Sequence, residues 1–226
     1  MGMPMYVPPE QLIRDRADFA RKGVGRGRSI VALEYEHGVL LCGENSSRAL
    51  HKVSEIYDQV AFAGVGRFNE FEALRVAGIR YADLKGYAYD RADVTAKGLA
   101  NAYSQTLGQI FTHEVKPYEI EVLVAEVTDD PAGTQLFRVQ FDGTLHDETA
   151  FGSIGGQEDQ LRQALAAVAD PGMPLETAVR VATTAIQDAD ERAIPDDHWE
   201  AAVLDRQNGR RKFRRLSGED IAQARS

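Results

Sequence analysis

The sequence predicts an α+β protein built on antiparallel sheets, because helical and strand-like spacings arrive in blocks: helix, strands, two helices, strands, two helices, strands. Two further observations support this. Tight-turn pairs, His37-Gly38, Asp142-Gly143 and Asn208-Gly209, separate strand-like runs, as antiparallel hairpins require. No stretch rich in Pro, Gly or Ser divides the 226 residues, so one domain over 1–226 is expected. Two sheets packed face to face and covered by helix pairs would bury every apolar stripe.

Taken in order, Pro8-Pro9-Glu10 opens a helix over 10–24, in which Ile13, Ala17, Ala20 and Val24 recur at helical spacing against Arg14, Asp15, Arg16, Asp18 and Arg21. Gly23, Gly25 and Gly27 end it. Arg28 to Glu36 reads as a strand, His37-Gly38 as its turn and Val39 to Gly43 as its partner. Lys52 heads a polar segment before a third strand at Val60 to Gly64. Phe71, Leu74, Gly78 and Tyr81 mark a second helix, and Ala96, Ala100, Tyr103, Leu107 and Phe111 a longer one over 94–113.

Lys116-Pro117-Tyr118 returns the chain to extended structure, and a strand follows from Ile120 to Val127. Asp129-Asp130-Pro131-Ala132-Gly133 turns it into Leu136 to Phe141, and Asp142-Gly143 turns that into a further strand, a meander. Leu161, Ala164, Leu165 and Val168 restore helical spacing until Asp170-Pro171-Gly172 breaks it. Ala178, Val181, Ala182 and Ala185 give another helix before a hairpin over 199–215. That hairpin turns at Gln207-Asn208-Gly209 and carries Arg210-Arg211-Lys212 and Arg214-Arg215, read either as a solvated edge strand or as a contact surface for a neighbouring subunit. Gly218 to Ser226 is a short helix or a frayed tail.

Composition excludes several classes of function. A net charge of −9 and a pI near 5.1 lack the basicity that phosphate contacts demand, so no nucleic acid is expected. No run approaches the roughly 18 apolar residues of a membrane span, and Met1 to Glu10 lacks the basic start and apolar stretch of a secretory signal. The expectation is a soluble, cytoplasmic protein without membrane contact. The single cysteine, Cys42, cannot form an internal disulfide and reads as a core residue. His37, His51, His113, His146 and His198 are dispersed, so neither a metal nor another cofactor is expected. Gly23-Val24-Gly25-Arg26-Gly27 leaves a helix and enters a strand, the reverse of a phosphate-cradling loop, and reads as helix termination.

Several motifs then appear together and in order: Arg28-Ser29-Ile30-Val31-Ala32-Leu33, Gly86-Tyr87-Ala88-Tyr89-Asp90-Arg91, Gln105-Thr106-Leu107-Gly108 and Lys116-Pro117-Tyr118-Glu119. Behind an upstream helix, they resemble the actinobacterial α subunit of the proteasome core particle over about 5–215. The resemblance implies the four-layer α/β/β/α sandwich of the N-terminal-nucleophile hydrolases over 28–215, with a gate segment at 1–9 and a tail at 216–226. In β subunits the first strand opens on an N-terminal threonine nucleophile, whose free amine serves as base. Here that position falls at Arg28, inside the chain, while the lysine and carboxylate positions fall at Lys52 and Glu44. A triad without its nucleophile cannot perform acyl transfer, so the resemblance implies no catalytic residue in this chain and leaves peptide hydrolysis to a β partner. The alternative is a self-processing hydrolase in which cleavage after Arg28 exposes Ser29 as the nucleophile. Self-processing relatives cut after glycine, and Gly27 lies one residue out of register.

The same resemblance implies a heptameric ring of identical α subunits on β rings, serving degradation of proteins tagged with a ubiquitin-like modifier. Lys52, Gly27 and Arg67 match a pocket between adjacent subunits that receives the C-terminal carboxylate of a ring-shaped ATPase or other activator; the plain alternative for Lys52 is a surface loop lysine. Met5, Tyr6, Val7, Pro8 and Pro9 resemble the entrance gate, with Tyr6-Val7-Pro8 in place of the Tyr-Asp-Arg triplet of archaeal and eukaryotic gates; a tail without a role is the competing reading. Leu12, Ile13 and Phe19 fall at the implied ring contact. A stand-alone α+β binding domain is the remaining class.

Overall fold

The computed structural model describes residues 8–47 and 49–226. Helix α1 spans Pro9–Val24, with proline at its first position, where the missing N–H is no loss and φ is already helical. Strands β1 (Ile30–Tyr35) and β2 (Gly38–Glu44) form a hairpin in the register Ile30↔Gly43 to Tyr35↔Gly38. Next come β3 (Val53–Tyr57), β4 (Val60–Gly66), α2 (Phe68–Ala88), α3 (Ala96–His113) and β5 (Ile120–Glu126). Then follow β6 (Gln135–Val139), β7 (Leu145–Glu148), β8 (Phe151–Ile154), α4 (Glu158–Ala166) and α5 (Leu175–Ala189). The chain closes with β9 (Trp199–Asp205), β10 (Phe213–Arg215) and α6 (Gly218–Arg225).

The strands make two five-stranded antiparallel sheets, ordered β10-β9-β2-β1-β8 and β3-β4-β5-β6-β7. Alternation within β1 explains the layering. Ile30 and Ala32 point between the sheets, where they meet Ala61, Ala63 and Leu123, while Val31 and Leu33 point outward to Leu161, Ala182 and Ile186 of α4 and α5. On the other sheet Phe62, Val122 and Val124 point outward to Leu74, Leu99 and Leu107 of α2 and α3. Both faces of each sheet are therefore buried, which accounts for the nearly continuous apolar runs of β2 and β5. The result is the α/β/β/α sandwich that the resemblance implied. Helix α1 stands apart from these layers, resting Ala20 and Val24 on Phe141.

Three sequence readings need correction. The segment taken as polar contains β3, an edge strand in which Val53 and Ile56 are buried while Ser54, Glu55 and Tyr57 are half-exposed. Edge placement removed the alternation that would have signalled it. The expected two-residue turn at Asn208-Gly209 is a longer loop: a 3-10 turn over Arg206–Asn208, in which the Asp205 carboxylate accepts the Gln207 N–H at 2.8 Å, and pairing resumes only at Phe213. Arg210 and Arg211 thus sit in a loop, beside Asp58 at 3.5 Å and Glu55 at 2.6 Å. Lys212 is no solvated edge residue: it is 1% exposed, with its Nζ on the Asp129 carboxylate and on the Arg206 carbonyl at 3.1 Å. A buried ammonium persists only when so paired. The last segment resolves as helix, closed by a capping box between Ser217 and Asp220. Cys42 is a core residue of β2 whose thiol burial pushes up to about 12.

Candidate functional site

The residues singled out in the sequence converge on one end of the sandwich, where β1 and β3 begin and β2 and β4 end. Glu44, the last residue of β2, is 6% exposed. Its carboxylate binds the Arg192 guanidinium and lies 3.3 Å from Arg28 Nε. Burial alone would raise this carboxyl; the Arg192 hydrogen bond and the charges of Arg28, Arg192 and Lys52 outweigh it and hold Glu44 below the usual carboxylate range. The Lys52 Nζ donates to the Glu44 carbonyl at 2.9 Å, its one acceptor among the described residues, leaving two N–H donors. Burial lowers the Lys52 ammonium, with Glu200 and Glu44 opposing and Arg28 adding to the fall. The arrangement favours an added carboxylate, which would bring hydrogen-bond acceptors and a charge of the right sign.

The resemblance assigns the nucleophile position to Arg28. Arg28 stands in the continuous chain between α1 and β1, its guanidinium on Glu44. Ser29 is 2% exposed, and its hydroxyl accepts the Gln157 N–H at 3.4 Å.

Gly27 and Arg67 meet through β4. A Cβ on Gly27 would fall 2.2 Å from Val65 Cγ1, so only glycine lets the chain leave α1 against that strand. Gly66 takes φ +118°, with the place of a Cβ 1.9 Å from the Glu119 carbonyl. That turn delivers Arg67 to the start of α2, where its Nε lies 2.6 Å from the Glu119 carboxylate, itself 3.0 Å from Lys116 Nζ. The Lys52 carbonyl accepts the Gly64 N–H at 3.0 Å. Lys52, Gly27 and Arg67 therefore flank the same few residues of β4.

Of the proposed ring-contact residues, Leu12, Ile13 and Phe19 are 52%, 55% and 46% exposed. Ile13 lies off the buried stripe to which its spacing assigned it. Pro8 and Pro9 head α1; Met5, Tyr6 and Val7 lie outside the described residues. The sequence reading missed Glu200, Arg192 and Glu119. Glu200 is 8% exposed and accepts Lys52 N–H at 3.0 Å, Val53 N–H at 3.2 Å and Arg215 at 2.6 Å. The signal for it was a lone carboxylate in the apolar run Trp199-Glu200-Ala201-Ala202-Val203.

A family model described as Proteasome subunit matches residues 24–204. With the two-sheet sandwich and the lysine and carboxylate gathered at the head of β1, this defines the class of protein: the chain belongs to the proteasome subunit family. Its relatives carry the α name. The chain is 54% identical over 230 residues to a proteasome subunit alpha of Kineococcus radiotolerans, covering 98% of this chain and 97% of that one. It is 54% identical to a protein of the same name from Xylanimonas cellulosilytica, over 100% and 96% of the two chains. With that of a Nocardioides species it shares 56% identity over 96% and 86%. The likeness is to α subunits of the actinobacterial kind.

Proposed function

We propose that this chain is a non-catalytic subunit of the proteasome α ring, acting in the cytoplasm as one unit that assembles with copies of itself on a β ring, gates substrate entry and docks activators. The observation that carries the reading is Arg28: an internal residue, ion-paired to Glu44, stands where an N-terminal nucleophile would have to be. The lysine and the carboxylate persist beside it without a nucleophile to serve. The free N–H donors of Lys52, in a partly desolvated position beside Gly27 and Arg67, suit the C-terminal carboxylate of a ring-shaped ATPase or other activator. Such an activator would deliver modifier-tagged proteins. The exposed apolar residues of α1, Leu12, Ile13 and Phe19, suit a contact with the next copy.

Lys52→Ala tests the docking assignment in the particle reconstituted with its β subunit. The expected outcome is loss of activator-stimulated hydrolysis with basal peptide hydrolysis and ring mass unchanged. Undiminished stimulation would sink the pocket. The self-processing alternative is tested separately by intact mass: a mature chain beginning at Ser29 would replace this reading, and a full-length inert chain retires the alternative.

A further inference from the structure

A second cleft, of about 590 Å3, lies on the other side of the α1 terminus, between Val24 and Gly25, strands β5 to β7 and the junction of β8 with α4. Its size falls in the range of ligand pockets. Glu121 of β5 lines it. This side chain is 5% exposed, and its Oε2 is buried without a hydrogen-bond partner among the described residues. A buried carboxylate oxygen in that condition needs a reason.

The charges around it show what is missing. Arg138, 6% exposed, donates Nε to Glu148 at 3.1 Å and pairs with Glu158. Arg162 grips both oxygens of Glu148 at 2.9 and 3.0 Å. Glu148 and Glu158 therefore take up the two guanidiniums, and Glu121 is the carboxylate left over. Asp142 and Asp159 add negative charge at the rim, where Arg21 is 3.0 Å from Asp18 and His146 completes the titratable groups. Val24 and Phe141, both nearly buried, supply the apolar floor, with the Arg21 guanidinium over the Phe141 ring at 5.9 Å, and Gln140 and Gln157 supply polar groups. No group of three metal-ligating side chains occurs among the described residues, which favours an organic cation over a bare metal ion.

We propose that this cleft binds an alkylguanidinium or alkylammonium ion, supplied either by an arginine or lysine side chain of a neighbouring subunit or by a free amine of the same chemistry. The Glu121 carboxylate receives the charge and the Val24–Phe141 floor receives the stem. Unliganded, Glu121 holds a proton up to about 7: burial is the main cause, the Glu158 and Asp142 charges add to it, and Arg138 and the Gly155 N–H oppose. Binding therefore releases a proton near neutral pH. This site is separate from Lys52 and stands whether or not activators dock there.

The test is titration calorimetry on the full chain with arginine amide and citrulline amide, both Nα-acetylated so that the guanidinium is the sole charge of the first and the second is an uncharged control. At pH 8 arginine amide should bind at least about tenfold more tightly than citrulline amide, and on the order of 30-fold more weakly at pH 5.5, where little Glu121 is ionised. Glu121→Gln should abolish the difference between the two probes. Glu158→Gln, at the cleft margin, should reduce it, and serves if the first variant does not fold. The source of the cation is read from the assembled particle. If a neighbouring subunit fills the cleft, the separate chain binds arginine amide, the particle does not, and Glu121→Gln lowers the assembled fraction. If the ligand is a free amine, chain and particle bind alike. Equal binding of the two probes, or no probe binding together with unchanged assembly of Glu121→Gln, would overturn the proposal.

Discussion

Glu121 and Glu44 are both buried carboxylates at strand positions, and their surroundings drive them in opposite directions. Glu44 has Arg28, Arg192 and Lys52 about it and stays ionised. Glu121 is buried with its nearest guanidinium, that of Arg138, paired to other carboxylates, and burial first, then the Glu158 charge, raises its folded value from 4.5 to about 7. The charged form is thus penalised in the folded state only. This group's contribution to stability is fully present below about 4.5 and is lost as pH rises through 7. Glu121→Gln should accordingly raise unfolding stability at pH 8 by roughly 3 kcal/mol, the equivalent of that separation, and by nothing near pH 4.5. Urea unfolding of the two proteins at both pH values measures it; a difference that is the same at both would mean that ionisation is not the cause. Glu44 was legible through the resemblance, which placed the carboxylate position there, whereas nothing in the sequence marked Glu121. Glu121 alternates with apolar residues just as an exposed strand residue does, and its burial comes from α1 and the β8–α4 junction closing over β5.

At the scale of elements, the sequence exposed what local periodicity controls and concealed what the edges and long-range closure control. The spacing of Ala96, Ala100, Tyr103, Leu107 and Phe111 gave α3 to within two residues of its start, because one apolar face packs on a sheet for the whole length of the helix. Strand β3 was missed because only Val53 and Ile56 turn inward, while its other residues answer to solvent and to the β9–β10 loop. The grouping of Lys52, Gly27 and Arg67, proposed above for docking, was legible only through resemblance: the three lie far apart in sequence, and β4 brings them together. Helix α1 illustrates both cases, since its buried stripe is confined to Ala20 and Val24 and its first turns are open. A segment leading into so lightly anchored a helix can be removed without disturbing the sandwich. Deleting residues 2–9 should therefore leave assembly intact and speed small-peptide hydrolysis by the particle reconstituted with β. An unchanged rate would remove the gate.

For the whole molecule, both sheets are covered by helices, and the exposed large apolar side chains among the described residues gather mainly in two places, Leu12, Ile13 and Phe19 on α1 with Val115 beside Phe19, and Leu84, Tyr87 and Tyr89 at the end of α2, with Leu50 and Val168 exposed singly. Two separated patches suit two kinds of neighbour, a copy of the chain and a different subunit. Native mass spectrometry should find a species several-fold heavier than the 24.9 kDa chain once β is present. A monomer under those conditions would reduce the chain to an isolated binding domain. Lys212 offers a chemical view of the same integrity. Its ammonium ties the β9–β10 loop of one sheet to Asp129 beyond β5 of the other, and it is secluded from water, whereas Lys22 and Lys97 are open. An amine-acylating reagent should label Lys22 and Lys97 within the first minutes and spare Lys212 until the two sheets part. The acylation of that one lysine, followed by peptide mass mapping, then becomes a clock for opening of the sandwich, and early labelling would show that the tie is not closed in solution.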